Sequence, residues 1–148
     1  MFKRKFEVVI FTAFVVILFL ASYLSMTGEI SGFFSAWYLI SLFVLPGLLF
    51  YLLPVSIIAE FATRKMSNSI ARGASSLLIH VLLLGLFGLW DPTLGVVAVF
   101  TAIVAFNFDV WTRKLYTLPP FKRFALPLTI LISLVIIAFS VIGLINLP

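Results

Sequence analysis

Apolar residues fall into five long runs, and the stretches before and between these runs hold all but one of the charged residues. An α-helix needs about 20 mostly apolar residues to cross a hydrocarbon core about 30 Å thick. The pattern therefore predicts an all-α fold, an integral membrane helical bundle with five transmembrane helices. The predicted spans cover roughly residues 8–26, 33–59, 74–90, 93–111 and 124–147.

Two short breaks separate neighbouring runs. Between the third and fourth runs, Asp91 can cap the N-terminus of the next helix, and Pro92 suits its first helical position. Between the fourth and fifth runs, Pro119 and Pro120 keep one helix from continuing into the next. No shift in composition marks a further boundary, so the sequence predicts a single membrane domain over residues 1–148.

The composition limits the kind of chemistry that the chain can perform. Hydrophobic residues make up 64% and charged residues 10%, with a mean hydropathy of +1.28, whereas soluble domains carry about a quarter charged residues. The sequence has no cysteine and one histidine. These counts exclude disulfide frameworks, thiolate metal sites, attached haem and cysteine nucleophiles.

The basic residues predict an orientation in the membrane. All ten fall on one side of the predicted bundle: Lys3, Arg4, Lys5, Arg64, Lys65, Arg72, Arg113, Lys114, Lys122 and Arg123. The opposite connections carry Glu29 and Asp91. Because basic residues favour the cytoplasmic side, we expect the N-terminus inside and the C-terminus outside. The basic side would also attract anionic lipids, so no nucleic-acid partner is needed to explain it.

The first apolar run has an alternative interpretation as a cleaved signal peptide, because it follows a basic start. Cleavage would leave four spans with both termini outside. The run continues past the usual length of such a signal, and residues 21–25 offer only a weak cleavage site, so we favour a retained span.

Two cytoplasmic span ends have similar sequences, EFATRKM at residues 60–66 and DVWTRKL at residues 109–115. Helical spacing places Glu60 beside Arg64 and Asp109 beside Arg113, which would partly neutralise each carboxylate near the hydrocarbon. A duplicated two-span hairpin is the alternative. The preceding segments match poorly, so we favour two independent span endings.

The second span contains two helix-breaking positions, Pro46 followed by Gly47, and Pro54. Each proline removes a backbone hydrogen bond and frees a carbonyl group that a neighbour or water must satisfy. Such irregularities occur on ion or substrate paths, but they are commoner in ordinary bundles. We expect a tilted or kinked helix whose irregularity serves packing.

His80 lies about 10 Å along the third span from its cytoplasmic end. An ionisable residue within the bilayer is a functional candidate. Asn107 and Asp109 of the fourth span lie at similar depth and are its expected partners. The alternative, which we favour, is a neutral imidazole that bonds to Ser76 or to a neighbouring helix.

Small residues form a stripe along the fourth span. Its members are Gly95, Ala98, Ala102 and Ala105, and it ends at Asp109. Small side chains let membrane helices approach closely. We therefore predict that Ala98, Ala102 and Ala105 are helix-packing residues, that the fourth span lies near the centre of the bundle, and that Asp109 faces protein.

Catalytic motifs are missing from the sequence. It has no HExxH, GxSxG or glycine-rich phosphate loop. Ser76, His80 and Asp109 could be imagined as a triad, but the Ser and His share one helix and no oxyanion site accompanies them. We expect a protein that is not an enzyme and has neither a cofactor nor a metal site.

Several positions in the second and third spans resemble a known set of proteins. The matching positions are Pro54, Val55, Ser56, Glu60, Thr63, Arg64, Lys65, Ser76, His80, Gly85 and Gly88. They are similar to an uncharacterised family of small multi-pass membrane proteins from spore-forming Gram-positive bacteria. The resemblance implies a bacterial cell membrane location, four spans and no particular activity, whereas the apolar runs predict five spans.

Two functions fit these features. The favoured one is an accessory or interaction protein that acts through its transmembrane helices, with another membrane protein or a second copy as its partner. The alternative is a small transporter or channel subunit with a polar route near His80, Asn107 and Asp109. Glu60 and Ser76 complete the candidate intramembrane polar site.

Overall fold

Helices make up nearly all of the chain. A computed structural model describes residues 2–147, and all of their side chains except those of Ser69, residues 119–123, Ala125 and Leu126. Within this described part no strand is present. The elements are α1 (Phe2–Thr27), α2 (Phe33–Gly47), a π-helical turn (Leu48–Leu52), α3 (Leu53–Thr63), α4 (Ser69–Gly85), a 3-10 turn (Leu86–Leu89), α5 (Pro92–Leu115) and α6 (Pro119–Ile145).

The described residues contain five helical segments that are long and apolar enough to cross a membrane. They are Phe2–Thr27, Phe33–Thr63, Ile70–Leu89, Pro92–Leu115 and Pro127–Ile145. The predicted all-α fold with five spans is therefore confirmed, and the four spans implied by the resemblance are not found. The described side chains do not include those of Lys122 and Arg123, on which part of the orientation prediction depends.

The first helix differs most from its predicted bounds. It begins at Phe2 rather than near residue 8, so Lys3, Arg4 and Lys5 belong to its first turns instead of preceding it. Cations are tolerated in a membrane helix when neighbouring helices supply carboxylates. The hydrophobic pattern does not assign these residues to the helix, because they are charged and the partners of Arg4 and Lys5 lie on other helices.

Helix α1 occupies the centre of the bundle. Half of the residues in its most apolar 18-residue stretch are buried, compared with 33% in the fourth span and 17% in each of the third and fifth spans. It packs against α2, α3, α5 and α6. Val9, Ala13, Ile17 and Ala21 recur every fourth residue and are fully buried. The fourth span packs beside α1, but α1 has the central place that the small-residue stripe predicted for the fourth span.

The second span remains one long helix despite its two prolines. Pro46 lies within α2 and Pro54 opens α3, and the π-helical turn lies between them. A π-helical turn shifts the hydrogen-bond pattern by one residue, which accommodates the missing proline donors. The Tyr51 hydroxyl in this turn donates to the Leu83 carbonyl oxygen at 2.6 Å. The irregular turn is thereby fastened to the third span.

Polar caps begin two of the helices. The Asp91 carboxylate accepts the backbone N–H of Leu94 at 2.9 Å, and Pro92 takes the first helical position, as predicted. This hydrogen bond lowers the pKa of Asp91 below its ordinary value. Asn68 caps α4 in the same way by accepting from the N–H groups of Ile70 and Ala71.

Two glycines allow close approaches between helices at the end of the bundle opposite the basic residues. A Cβ atom on Gly95 of α5 would lie 2.5 Å from the Cα of Gly88 in the 3-10 turn. A Cβ atom on Gly143 of α6 would collide with the carbonyl oxygen of Phe34 in α2. Only glycine permits backbones to pack this closely.

Candidate functional site

Five charged side chains meet at one end of the bundle, and we name them the charge cluster. Its members are Arg4 and Lys5 of α1, Glu60 of α3, and Asp109 and Arg113 of α5. Helix α1 runs opposite to α3 and α5, so its first turns lie beside their last turns. The cations of α1 therefore meet both the carboxylates and the negative dipole ends of two neighbouring helices.

Lys5 lies at the centre of the charge cluster and has no exposed surface. Its Nζ atom donates to Asp109 Oδ1 at 2.8 Å and lies 3.0 Å from Glu60 Oε2. Burying an ammonium group is unfavourable unless it is paired and hydrogen-bonded. The two carboxylates supply that pairing and join α1 to both α3 and α5.

The two arginines complete the pairing of both carboxylates. Arg4 Nη2 donates to Glu60 Oε2 at 2.5 Å, and Arg4 Nη1 lies 3.5 Å from Asp109 Oδ1. Arg113 donates from Nε and Nη2 to Asp109 Oδ2 at 3.1 and 2.7 Å. The predicted pairing of Asp109 with Arg113 is confirmed, and each Asp109 oxygen has a cationic donor.

The predicted pairing of Glu60 with Arg64 is wrong. Among the described side chains, Glu60 pairs with Arg4 and Lys5 at close range, and Arg64 lies over the Phe61 ring with its guanidinium carbon 5.6 Å from the ring centre. Helix α3 ends at Thr63, so Arg64 lies beyond its last turn. Glu60 faces the interior, where α1 supplies cations that sequence spacing alone does not reveal.

His80 is fully buried and joins two helices. Its Nδ1 atom lies 2.8 Å from the backbone carbonyl oxygen of Ser76, and its Nε2 atom lies 3.0 Å from the hydroxyl of Ser56 in α3. A carbonyl oxygen only accepts, so Nδ1 donates its N–H to Ser76, and in a neutral ring Nε2 accepts a hydrogen bond from the Ser56 hydroxyl. Ser76 contributes its carbonyl, while its buried hydroxyl has no partner among the described residues.

The expected partners of His80 lie elsewhere. Asn107 is exposed on the outer side of α5 and donates to the carbonyl oxygen of Ile103 in its own helix at 2.8 Å. Asp109 belongs to the charge cluster. Residues two positions apart point to nearly opposite sides of a helix, so Asn107 and Asp109 could not both face the interior. The prediction is wrong because it compared only the depths of these residues in the membrane and not the sides of the helix on which they lie.

The small-residue stripe of the fourth span lies inside the bundle. Ala98, Ala102 and Ala105 are 9%, 0% and 0% exposed, and Asp109 at the end of the stripe is 1% exposed. Helix α5 packs against α1 and α4. The stripe therefore serves packing within this chain and presents no surface to another protein.

The N-terminal residues are the part of the site that the sequence interpretation missed. The positive-inside pattern explains Arg4 and Lys5 by orientation alone. The spacing in the sequence nevertheless indicates the role of Lys5. Val9, Ala13 and Ile17 form a buried row of α1 with one member every four residues, and Lys5 lies four residues before Val9 in the same row. A lysine in line with a buried row indicates a buried cation that needs partners.

A second pairing lies close to the charge cluster. Glu7 is 1% exposed, and the Tyr116 hydroxyl donates a hydrogen bond to its Oε2 atom. Burial and the adjacent Glu7 carboxylate raise the pKa of Tyr116 above its ordinary value. Tyr116 therefore stays protonated and holds the end of α5 against α1.

An open cavity of about 610 Å³ adjoins the charge cluster, and we name it the basic cavity. Its lining residues come from four of the five spans and the segment after α5. They are Lys3, Arg4, Glu60, Arg72, Arg113 and Tyr116. Four of these six side chains are cationic, so the arrangement is suited to ionic contacts with a ligand. Within the described part of the chain, no three metal-ligating side chains lie close enough together to hold a metal ion.

No protein family, curated protein or solved structure matches this chain. Its function is therefore inferred from its own residues and their contacts.

Proposed function

We propose that this chain is an accessory or interaction protein of a bacterial cytoplasmic membrane, which acts through lateral contacts of its transmembrane helices and not by catalysis. One observation carries the proposal. The described polar groups inside the bundle are largely hydrogen-bonded or ion-paired with one another, while only 17% of the most apolar 18-residue stretch is buried in each of the third and fifth spans.

The interior contacts favour a structural role for the buried charges. Lys5 connects Glu60 and Asp109, and His80 connects Ser56 with the backbone of Ser76. Removing one partner of a buried ion pair costs about 3–5 kcal/mol, because the other charge is left uncompensated. The charge cluster therefore holds α1, α3 and α5 in one arrangement and gives the outer helices a stable support.

The outer face of α6 is the favoured contact surface for a partner. Leu131, Leu134 and Ile137 are each more than half exposed and lie on successive turns. The alternative surface, the stripe of Ala98 and its neighbours, is unsuitable because it is buried. The partner would be another membrane protein or a second copy of this chain, since these three exposed side chains of α6 are apolar.

The location and orientation belong to the same proposal. The meeting of Arg4, Lys5, Arg72 and Arg113 at one end of the bundle supports an arrangement in which this end faces the cytoplasm. The N-terminus is then inside and the C-terminus outside. The resemblance of the second and third spans to small membrane proteins of spore-forming bacteria supports the bacterial location.

Co-purification from native membranes in mild detergent tests the proposal. We expect a partner in fixed stoichiometry, and we expect Leu134→Trp on α6 to reduce its recovery several-fold. Val96→Trp is the matched control, because Val96 is 71% exposed on a different helix, α5. Equal recovery with both variants, or no stoichiometric partner and a monomeric protein, would contradict the proposal.

A small transporter or channel subunit is the second candidate. It is favoured by the polar groups that extend inward from the charge cluster through Ser56 to His80. It is disfavoured by the lining of another cavity, of about 250 Å³ beside Tyr51 and Leu84, which is almost wholly apolar. Asn107 takes no part, because it lies on the outer side of α5.

Flux into liposomes separates the two candidates. A transport route predicts that protons or a solute cross membranes containing the purified protein, and that His80→Leu and Asp109→Asn abolish this flux in protein that still folds. The interaction role predicts no flux above that of empty liposomes.

A further inference from the structure

The basic cavity contains more positive charge than the surrounding carboxylates can balance. Four cations line the cavity: Lys3, Arg4, Arg72 and Arg113. Lys5, which pairs with Glu60, lies close by as a fifth, and the nearby carboxylates are Glu60, Asp109 and Glu7. Five cations thus surround the cavity together with three carboxylates, which leaves two positive charges. A cavity with this excess attracts an anion.

The excess charge is concentrated on two residues. Arg4, Lys5 and Arg113 are paired with Glu60 or Asp109. Lys3 and Arg72 also line the cavity. Within the described part of the chain, no carboxylate oxygen lies within 4 Å of either side-chain cation. These two side chains are available to an external anion.

A buried guanidinium nitrogen of one residue that lines the cavity lacks a hydrogen-bond acceptor. Arg72 Nε is shielded from solvent and has no hydrogen-bond partner among the described residues. Arg4 Nη1 also makes no hydrogen bond there, but it lies 3.5 Å from Asp109 Oδ1. A buried donor without an acceptor is unfavourable, more so when it is charged. Arg4 and Arg72 come from α1 and α4, so guanidinium groups of two different helices line the cavity.

We propose that the basic cavity binds a phosphate group, supplied by either a lipid headgroup or a soluble phosphate. Arginine guanidinium groups match phosphate oxygens in planar, paired hydrogen bonds, and a phosphate offers several acceptors at once. A phosphate group carries one or two negative charges, which balance one or both of the two excess positive charges of the cavity. The volume of about 610 Å³ lies within the range of small-ligand sites and admits a phosphate with its substituents.

The proposal assigns different roles to the two arginines. Arg4 is already paired with Glu60 through Nη2 and lies 3.5 Å from Asp109 through Nη1, so it adds positive charge to the cavity lining while holding both carboxylates. Arg72 has no such pairing, so the ligand is the partner of its guanidinium. Arg72 is therefore the residue whose loss removes binding with the least disturbance of the charge cluster.

Binding to purified protein in a non-ionic detergent tests this assignment. Inorganic phosphate is titrated by calorimetry, and phosphatidylglycerol is compared with diacylglycerol, which lacks phosphate, by native mass spectrometry. We expect Arg72→Gln to weaken binding about tenfold or more, the effect of one lost charge-assisted contact. Arg64→Gln is the matched control, because Arg64 is exposed near the same end and does not line the cavity.

The two probes distinguish the sources of the phosphate. Binding of phosphatidylglycerol alone identifies a lipid headgroup, binding of inorganic phosphate alone identifies a soluble ligand, and binding of both supports the shared chemistry. Binding of neither probe, or equal binding by the Arg72→Gln and Arg64→Gln variants, would overturn the proposal. If Arg72→Gln fails to fold, Lys3→Gln replaces it, with an expected weakening of about threefold that must exceed the effect of Arg64→Gln.

Discussion

At the scale of single residues, Lys5 explains how a membrane helix can begin with cations and still lie at the centre of a bundle. Its amine has no exposed surface and contacts both Asp109 and Glu60 within 3.0 Å. Its removal leaves two carboxylates with less compensation in a region of low dielectric. The same residue would be harmless to lose if it served only to orient the chain.

We predict that Lys5→Met lowers the free energy of unfolding in detergent by about 3–5 kcal/mol. The combined variant Lys5→Met with Asp109→Asn should recover part of this loss, because one of the stranded charges is then removed. Lys65→Met is the matched control, since Lys65 is exposed near the same end, and its effect should stay within about 0.5 kcal/mol. Equal stabilities of the Lys5 and Lys65 variants would show that the amine has no structural role.

At the scale of helices, close backbone approach determines how α6 packs against α2. Gly143 leaves no room for a side chain, because a Cβ atom would collide with the Phe34 carbonyl oxygen. The Trp37 indole N–H donates to the Ile136 carbonyl oxygen at 3.4 Å, and the hydroxyls of Ser41 and Ser140 bond at 2.9 Å. These contacts depend on the short distance between the two helices.

We predict that Gly143→Ala destabilises the protein by about 1–3 kcal/mol, because the two helices must separate. Gly47→Ala is the control within another helix, since a Cβ atom there meets nothing within 4 Å. It should be neutral or stabilising, as alanine favours the helix. Thermal unfolding of both variants in one detergent gives the comparison, and a stable Gly143→Ala protein would contradict this packing.

The same scale shows which contacts the sequence could predict. The five apolar runs and the Asp91 cap are local properties of the chain, and the predictions of five spans and of this cap are confirmed. The pairing of Asp109 with Arg113 is also local, since one turn of helix separates them. The cations that pair with Glu60, and the Ser56 hydroxyl that bonds to His80, come from other helices, and no pattern within one segment specifies which helices become neighbours.

At the scale of the whole molecule, the charge cluster and the basic cavity place described cations of three spans at one end. Arg4 and Arg113 contact shared carboxylates, and Arg72 lines the same cavity. A bundle with this asymmetry has a preferred orientation, because translocating clustered basic residues across a membrane is unfavourable. The positive-inside rule therefore predicts that this end of the bundle faces the cytoplasm.

Labelling of single cysteines measures that orientation directly, because the chain contains no native cysteine. We predict that Lys65→Cys in intact cells resists a thiol reagent that cannot cross the membrane, and reacts once the cells are opened. Glu29→Cys, on the opposite connection, should react in both conditions. Both positions are exposed in the structure, so a difference reports sidedness and not burial. Labelling of Lys65→Cys in intact cells would reverse the orientation and put the basic cavity on the outer side, where a phosphate from the cytoplasm could not reach it.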